Sequence, residues 1–318
     1  MTRPLPLTCL LLGLLVLASL CTGAASMSPL HLLGDPEGLR LLLLSRVPRT
    51  AAAMLSGAAM AVAGVILQLL VRNRFVEPGT TGTVEAAMLG LLAVTMLSPG
   101  APILAKMAVA AAAALAGMAG FLALIRRLPP EEPLMVPLVG IIYSGIIGAG
   151  TTFVAYQADL LQYLGTWMNG EFSGVLAGRY ELLWLAGLVA GLAYLYADRF
   201  TIAGLGRTAS IGLGLNYAQT LWIGLLTVSV VTAMVVVTVG AIPFVGLVVP
   251  NIVARIMGDN LRGSLPVMAA MGAALVLGSD VLGRIIRFPY EIPAGTIFGA
   301  VGAAVFLWLL LGPKPRAR

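Results

Sequence analysis

The amino-acid sequence predicts an all-α polytopic membrane protein with about ten transmembrane helices in one compact bundle and both termini on the cytoplasmic side. The first observation is composition: 59% of the 318 residues are apolar and only 10% are charged, whereas a soluble domain carries about 25% charged residues. The second is a series of charge-free runs of membrane-spanning length, and the third is the abundance of small residues within those runs. Together they predict a single transmembrane domain covering residues 1–318.

The number of spans follows from the charge-free runs. Each run fits one helix except residues 208–254, which would form a helix about 70 Å long, far more than the ~30 Å of hydrocarbon. Gly240 and Pro243 interrupt that run and can end one helix and turn the chain. The predicted spans are residues 5–25, 50–71, 83–98, 102–125, 134–156, 182–197, 218–239, 243–257, 266–286 and 293–312.

The first apolar segment has two interpretations. Arg3 precedes it and the small residues "TGAAS" follow it, so it also has the pattern of a secretory signal peptide, and cleavage at "GAAS" stays open. We favour an uncleaved first span. Cys9 and Cys21 both lie in this segment, so the sequence offers neither a disulfide framework nor metal-ligand spacing.

Small residues and basic residues indicate how the spans are arranged. Stretches such as "MLSGAAMAVAGVI" allow the close helix–helix approach that stabilises bundles in lipid. Cytoplasmic loops carry an excess of Lys and Arg, and placing the N-terminus inside puts most of the basic residues in the cytoplasm. The same orientation places Arg46 and Arg49, on either side of Pro48, outside. There they are poor candidates for simple cytoplasmic anchors.

The sequence lacks the motifs of several functional classes. Lys106 and Lys314 are the only lysines and neither follows glycine, so no ATP-binding P-loop is present. The sequence has no set of residues typical of a membrane hydrolase, and the single histidine, His31, is interpreted as a solvated loop residue. We therefore predict a non-catalytic protein without cofactor, metal site or nucleic-acid partner. Glu85 and Asp280 lie close to span ends and are interpreted as interfacial, which disfavours an ion-coupled transporter.

Four segments between or within the spans carry unusual patterns. The turn 71–82 contains Pro78 and Gly79, and residues 166–184 combine interfacial aromatic residues with glycines. Residues 205–220 contain a short apolar helical stretch at about Thr208–Leu213 in the cytoplasm, which suggests a protein partner. Residues 242–258 carry two prolines in one apolar segment, which indicates either a translocation path or a kinked structural helix.

The motifs "RVPR", "VEPG", "FVGLVVP" and "EIPAG", in this order, resemble the permease subunits of ATP-binding-cassette (ABC) importers for ferric siderophores, haem and cobalamin, the FecCD-type or type II importers. The resemblance runs from residue 46 through most of the chain. It implies a multi-pass permease of the bacterial inner membrane that binds no nucleotide and performs no chemistry.

The resemblance also implies partners and site residues. The partners are cytoplasmic ATPase subunits, a periplasmic or lipid-anchored substrate-binding protein, and a second permease in a homodimer or heterodimer, with membrane lipid around them. Docking of the binding protein is expected at Arg46, Arg49 and Arg284. Coupling to the ATPase is expected through residues 205–216, at Arg207, Ser210, Gly212, Gly214 and Asn216. A cytoplasmic gate is expected at Asn73, Phe75 and Pro78.

The chain departs from the family pattern at three places. "NRF" stands where N-P-L is usual, Asn251 where histidine is common, and Glu85 where small polar residues are frequent. These departures favour import of an iron–siderophore complex, with the catecholate type as one possibility and haem or cobalamin as the alternative cargo. Two functions of other classes stay open from the residues alone: an ion-coupled secondary transporter and a membrane scaffold.

Overall fold

The structure is a computed structural model, and it describes residues 4–23, 36–127, 135–178, 180–258 and 260–311. These residues form helices joined by turns, with no β-strand among them. In chain order the helices are α1 (Pro4–Cys21), α2 (Pro36–Val71), α3 (Thr83–Leu97), α4 (Ile103–Ile125), α5 (Met135–Gln157), α6 (Leu161–Met168), α7 (Leu182–Gly204), α8 (Arg207–Gly212), α9 (Tyr217–Val239), α10 (Val245–Met257), α11 (Leu261–Ile286) and α12 (Ala294–Leu311).

The all-α membrane fold predicted from the sequence is confirmed. Eight helices are long and apolar enough to cross a membrane, and α3 and α10 are shorter apolar helices at two further predicted spans. The boundaries differ at several ends: α2 begins at Pro36 rather than at residue 50, and α7 continues to Gly204 through a 3-10 turn. Several residues used in the sequence analysis lie outside the described residues: Arg3, His31, Arg179, Lys314, Arg316 and Arg318. The orientation of the bundle stays a prediction.

Helix α2 is the centre of the bundle. It is mostly buried along its length, and it packs against α7, α9, α10 and α11. A π-helical turn at Leu42–Arg46 precedes its longest regular part. Few residues of α5 and α12 are buried within the chain, so many of their apolar side chains face lipid or a partner.

Two glycine pairs let α2 approach its neighbours at backbone distance. A Cβ atom added at Gly57 would lie 2.2 Å from the carbonyl oxygen of Gly272 in α11. A Cβ atom at Gly64 would lie 2.1 Å from the carbonyl oxygen of Gly246 in α10. Helices in lipid gain stability from such close packing, so these contacts confirm the prediction drawn from the small-residue stretches.

The short helices α3 and α10 begin at one buried junction. Glu77, in the turn before α3, accepts a hydrogen bond at its Oε1 from the backbone N–H of Phe244, 2.8 Å away, at the start of α10. With 13 residues, α10 is about 20 Å long and too short to cross the hydrocarbon alone. Glu77 and Pro78 are buried, so the turn that precedes α3 is packed inside the protein.

Candidate functional site

The three predicted docking residues meet at one end of the bundle, where they form an ion cluster with two carboxylates. This arginine cluster consists of Arg46, Arg49, Asp280, Arg284 and Glu291. Arg49 and Arg46 come from α2, Asp280 and Arg284 lie one turn apart on α11, and Glu291 belongs to the turn before α12. The sequence analysis did not assign Asp280 or Glu291 to this site. The spacing of Asp280 and Arg284, four residues apart, was the signal available for an intrahelical pair.

The arginine cluster is held by short ion pairs. Asp280 Oδ1 lies 2.8 Å from Arg49 Nη2, and Asp280 Oδ2 lies 2.9 Å from Arg284 Nη2. Arg49 Nη1 pairs with Glu291 Oε2 at 2.9 Å. Arg284 and Asp280 are almost fully buried, whereas the side chain of Glu291 is 28% exposed. Glu291 is thus the most accessible carboxylate of the cluster.

The remaining donors of the cluster bind the end of α1. Arg284 Nη1 donates to the carbonyl oxygen of Thr22 at 2.7 Å, and Arg284 Nη2 donates to Ser19 Oγ at 2.7 Å. Arg46 Nη1 donates to the carbonyl oxygen of Leu20, also at 2.7 Å. The last carbonyls of a helix lack intrahelical donors, so the two guanidinium groups satisfy them and join α1 to the bundle. The docking role of the three arginines stays a prediction, and a docking carboxylate would meet groups that already have internal partners.

The predicted gate residues lie in the turn at residues 72–82, which we call the gate turn. Asn73 is buried, and its Oδ1 accepts a hydrogen bond from the backbone N–H of Phe75 at 2.8 Å. Pro78 is also buried and starts a single 3-10 turn, Pro78–Thr80. The buried amide and the 3-10 turn fix the backbone of the gate turn against the bundle.

Aromatic contacts connect the gate turn with two helices. The ring of Phe75 meets the ring of Phe306 in α12 edge-on, with centroids 6.1 Å apart, and Phe306 also contacts Phe244 at the start of α10. Asn251 in α10 donates from Nδ2 to the carbonyl oxygen of Arg74 at 2.8 Å. The gate turn, α10 and α12 therefore form one contact group. Whether it opens and closes a path stays a prediction.

The predicted coupling segment, residues 205–216, lies on the surface of the bundle, and most of its residues are exposed. Its helix α8, Arg207–Gly212, agrees with the helical stretch expected from the sequence. Ser210 is the buried anchor, since its Oγ bonds the carbonyl oxygens of Ile202 and Gly206 at 2.8 and 2.7 Å. Asn216 starts α9 by accepting the backbone N–H of Gln219 at its side-chain oxygen.

Apolar side chains on the coupling segment face away from the protein. Leu205, Ile211 and Leu213 are 57%, 56% and 64% exposed. Arg207, Gly212 and Gly214 are exposed as well, and a Cβ added at Gly212 would meet no atom within 4 Å. An apolar surface on a short, well-anchored helix is typical of a protein-binding site.

These features define a class of protein: a helical membrane protein with a short exposed helix, α8, near one end of α2 and an arginine cluster at the other end. Residues 10–312 match the FecCD transport family, and the chain belongs to that family. It is therefore a subunit of an ABC transporter in the cell membrane, with the transport role that this family has.

Individual relatives agree with this assignment. The chain is 43% identical over 309 residues to the petrobactin import system permease YclN of Bacillus subtilis, covering 97% of this chain and 98% of the relative. It is 43% identical to the ferric-anguibactin transport permease FatD of Vibrio anguillarum, covering 86% of this chain and 87% of the relative. The vitamin B12 import permease BtuC of Vibrio vulnificus is 32% identical, over 94% of this chain and 91% of the relative.

A solved structure shares the fold. It shows an inward-facing conformation of a metal-chelate type ABC transporter, with a TM-score of 0.82 and 23% sequence identity over 98% of this chain and 99% of that chain. At this identity the likeness concerns the fold alone. It supports the all-helical architecture described above.

Proposed function

We propose that this chain is the membrane-embedded permease subunit of an ABC importer for iron–siderophore complexes. The observation that carries the proposal is its 43% identity to two siderophore import permeases, one of them aligned over nearly the whole of both chains. The permease itself would form the path and hydrolyse no ATP. Separate ATPase subunits would supply the energy.

The geometry suggests how the parts work together. An ATPase subunit docks on the exposed apolar residues of the coupling segment, and a binding protein delivers the cargo at the arginine cluster. Movement of the coupling segment is transmitted along α7 and α9 to α2, which carries the gate turn at one end and the arginine cluster at the other. A second permease, identical or homologous, completes the path against the exposed helices of the first.

The test is transport by the reconstituted assembly. The permease is placed in vesicles with its cognate ATPase and binding protein, and uptake of radioactive ferric siderophore is measured with and without ATP. We expect uptake that depends on ATP and on the binding protein. Uptake that proceeds without ATP would contradict the proposal.

Cobalamin is the second candidate cargo, because the chain is also 32% identical to a vitamin B12 import permease. The same vesicles distinguish the two when they are given radioactive cobalamin. Uptake of cobalamin in place of the ferric siderophore would replace the first proposal by the second.

A further inference from the structure

A cavity of about 380 Å³ lies between α3, α5 and α6, away from the arginine cluster and the coupling segment. Its polar lining comes from Glu85 on α3 and from the hydroxyl residues Ser144, Thr151 and Thr152 on α5. Met88 and Met168 supply flexible apolar walls. Glu85 is the only charged residue that lines the cavity within the described part of the chain.

The hydroxyl groups in this lining already donate their protons to backbone carbonyl oxygens. Ser144 Oγ donates to the carbonyl oxygen of Ile141, Thr151 Oγ1 to that of Ile147, and Thr152 Oγ1 to that of Gly148, at 2.9 to 3.1 Å. Each hydroxyl has one proton to donate and two lone pairs that accept. The cavity therefore presents hydrogen-bond acceptors and no free hydroxyl donor from these three residues.

Glu85 is partly exposed, but one oxygen of its carboxyl group is buried and has no partner. Its position in the first turn of α3 is favourable, because acids stabilise a helix N-terminus. Yet its Oε2 is buried without a hydrogen-bond partner, and no ion pair to Glu85 occurs among the described residues. Glu77, which also has a buried oxygen without a partner, lies close enough to interact electrostatically with Glu85. Glu85 therefore brings an acceptor oxygen without a partner to the cavity lining.

We propose that the Glu85 cavity binds a protonated amine. An alkylammonium group brings three donors and a positive charge to a wall of acceptors, while its alkyl part contacts Met88 and Met168. A metal ion fits less well, since the described residues contain no group of three or more His, Cys, Asp or Glu side chains that could hold one. The cavity borders α5, one of the exposed helices against which a second permease would complete the path, but binding of an amine there does not require transport.

The ammonium group has two chemical sources: a soluble amine, free or carried by a cargo molecule, and the headgroup of an aminophospholipid. Both would place the same charged group against Glu85. The lipid composition around the protein separates them, because phosphatidylethanolamine carries an ammonium group and phosphatidylglycerol does not.

The test uses the full chain in nanodiscs of phosphatidylglycerol, with butylammonium as the probe and 1-butanol as the neutral probe of the same shape. Binding is followed by saturation-transfer NMR. We expect a saturable signal for butylammonium and none for butanol. Because a hydrogen bond to a charged group is involved, Glu85→Gln should weaken binding by about tenfold or more. The control Glu37→Gln, which removes an exposed acid from the first turn of α2, should leave the signal unchanged.

A second variant separates loss of the site from loss of the fold. Gly148→Leu keeps Glu85 and directs a side chain into the cavity, where a Cβ atom at this position would make only an ordinary contact of 3.5 Å with Glu85. It should abolish the butylammonium signal while the protein elutes and unfolds as the wild type does. Persistence of the signal in either Glu85→Gln or Gly148→Leu overturns the proposal, and so does equal binding of butanol.

Repeating the measurement with phosphatidylethanolamine in the nanodiscs identifies the source. A competing lipid headgroup lowers the butylammonium signal, whereas an unchanged signal assigns the site to soluble amines. Transport measurements play no part in either outcome, so failure of the importer proposal would leave this result intact.

Discussion

Asp280 is the residue on which the arginine cluster depends, because each of its carboxylate oxygens pairs with a different guanidinium group. Sequence analysis placed Asp280 at the membrane–water interface, since it lies near the end of an apolar run. In the structure Asp280 lies on α11, pairs with Arg49 of α2, and is only 2% exposed. A buried ion pair is costly to break, because removal of one partner leaves the other charge uncompensated.

We expect Asp280→Asn to destabilise the protein by about 3–5 kcal/mol, the range for breaking a buried ion pair. The amide keeps the size of the carboxylate but leaves Arg284 and Arg49 short of negative charge. Thermal unfolding in detergent measures the change. The control is Asp198→Asn, which removes the exposed ion pair between Asp198 and Arg262 and should change stability by less than about 1 kcal/mol. Equal effects of the two variants would show that burial does not determine the value of these pairs.

At the scale of helices, the contact between α2 and α10 brings two backbones together where the gate turn begins. Gly64 faces Gly246, and Gln68, one turn further along α2, donates from Nε2 to the carbonyl oxygen of Gly246 at 3.1 Å. The small-residue stretches predicted such close contacts, but they did not identify which glycine meets which. That pairing depends on the angle and register at which α2 crosses α10.

Gly64→Ala should therefore separate α2 from α10, because its Cβ would lie 2.1 Å from a backbone oxygen that cannot move independently. We expect a marked loss of thermal stability and loss of uptake. Gly13→Ala is the matched control, since a Cβ at Gly13 on α1 meets nothing within 4 Å. Wild-type stability of Gly64→Ala would show that the two helices can part without cost.

The coupling segment gives a prediction that concerns function alone. Gly212 is exposed and has open space around it, so Gly212→Glu should insert into the membrane and fold normally. The new charge would lie beside Ile211 and Leu213 and be desolvated on docking, so we expect loss of uptake and of ATPase stimulation. Gly212→Ala should keep both. Wild-type ATPase stimulation by Gly212→Glu would contradict the docking assignment.

At the scale of the whole molecule, the arginine cluster has both a structural and a proposed docking role, and a test must separate the two. Reversing the charges of Arg46 and Arg49 would break buried contacts, so a loss of docking could not be distinguished from a loss of structure. Arg49→Gln combined with Glu291→Gln removes the Arg49–Glu291 pair without a change of net charge. It also removes the contact of Arg49 with Asp280, but Asp280 keeps its pair with Arg284, and thermal unfolding of the variant is measured beside its affinity.

We expect the double variant to bind the binding protein more weakly than wild type, with a smaller dependence on salt, because exposed charge pairs are strongest at low ionic strength. Glu291→Gln alone frees one edge of Arg49 for an incoming carboxylate and should preserve or strengthen binding. Affinity is measured between permease in nanodiscs and the purified binding protein. Unchanged affinity of the double variant would leave Arg49 a purely structural residue.

Sequence analysis by itself determined the all-α class, the helices at the predicted spans, the short helix α8 and the family. The helices follow from local features, since hydrophobic run length and helix-breaking residues each lie within one stretch of chain, and the family follows from the order of short motifs along the sequence. The tertiary structure alone decided that Arg46, Arg49 and Arg284 bind the chain's own carboxylates and carbonyls, that Glu77 joins two short helices, and that Glu85 lines a cavity. Those contacts join residues far apart in the sequence, such as Arg49 and Asp280, and only helix packing brings them within bonding distance.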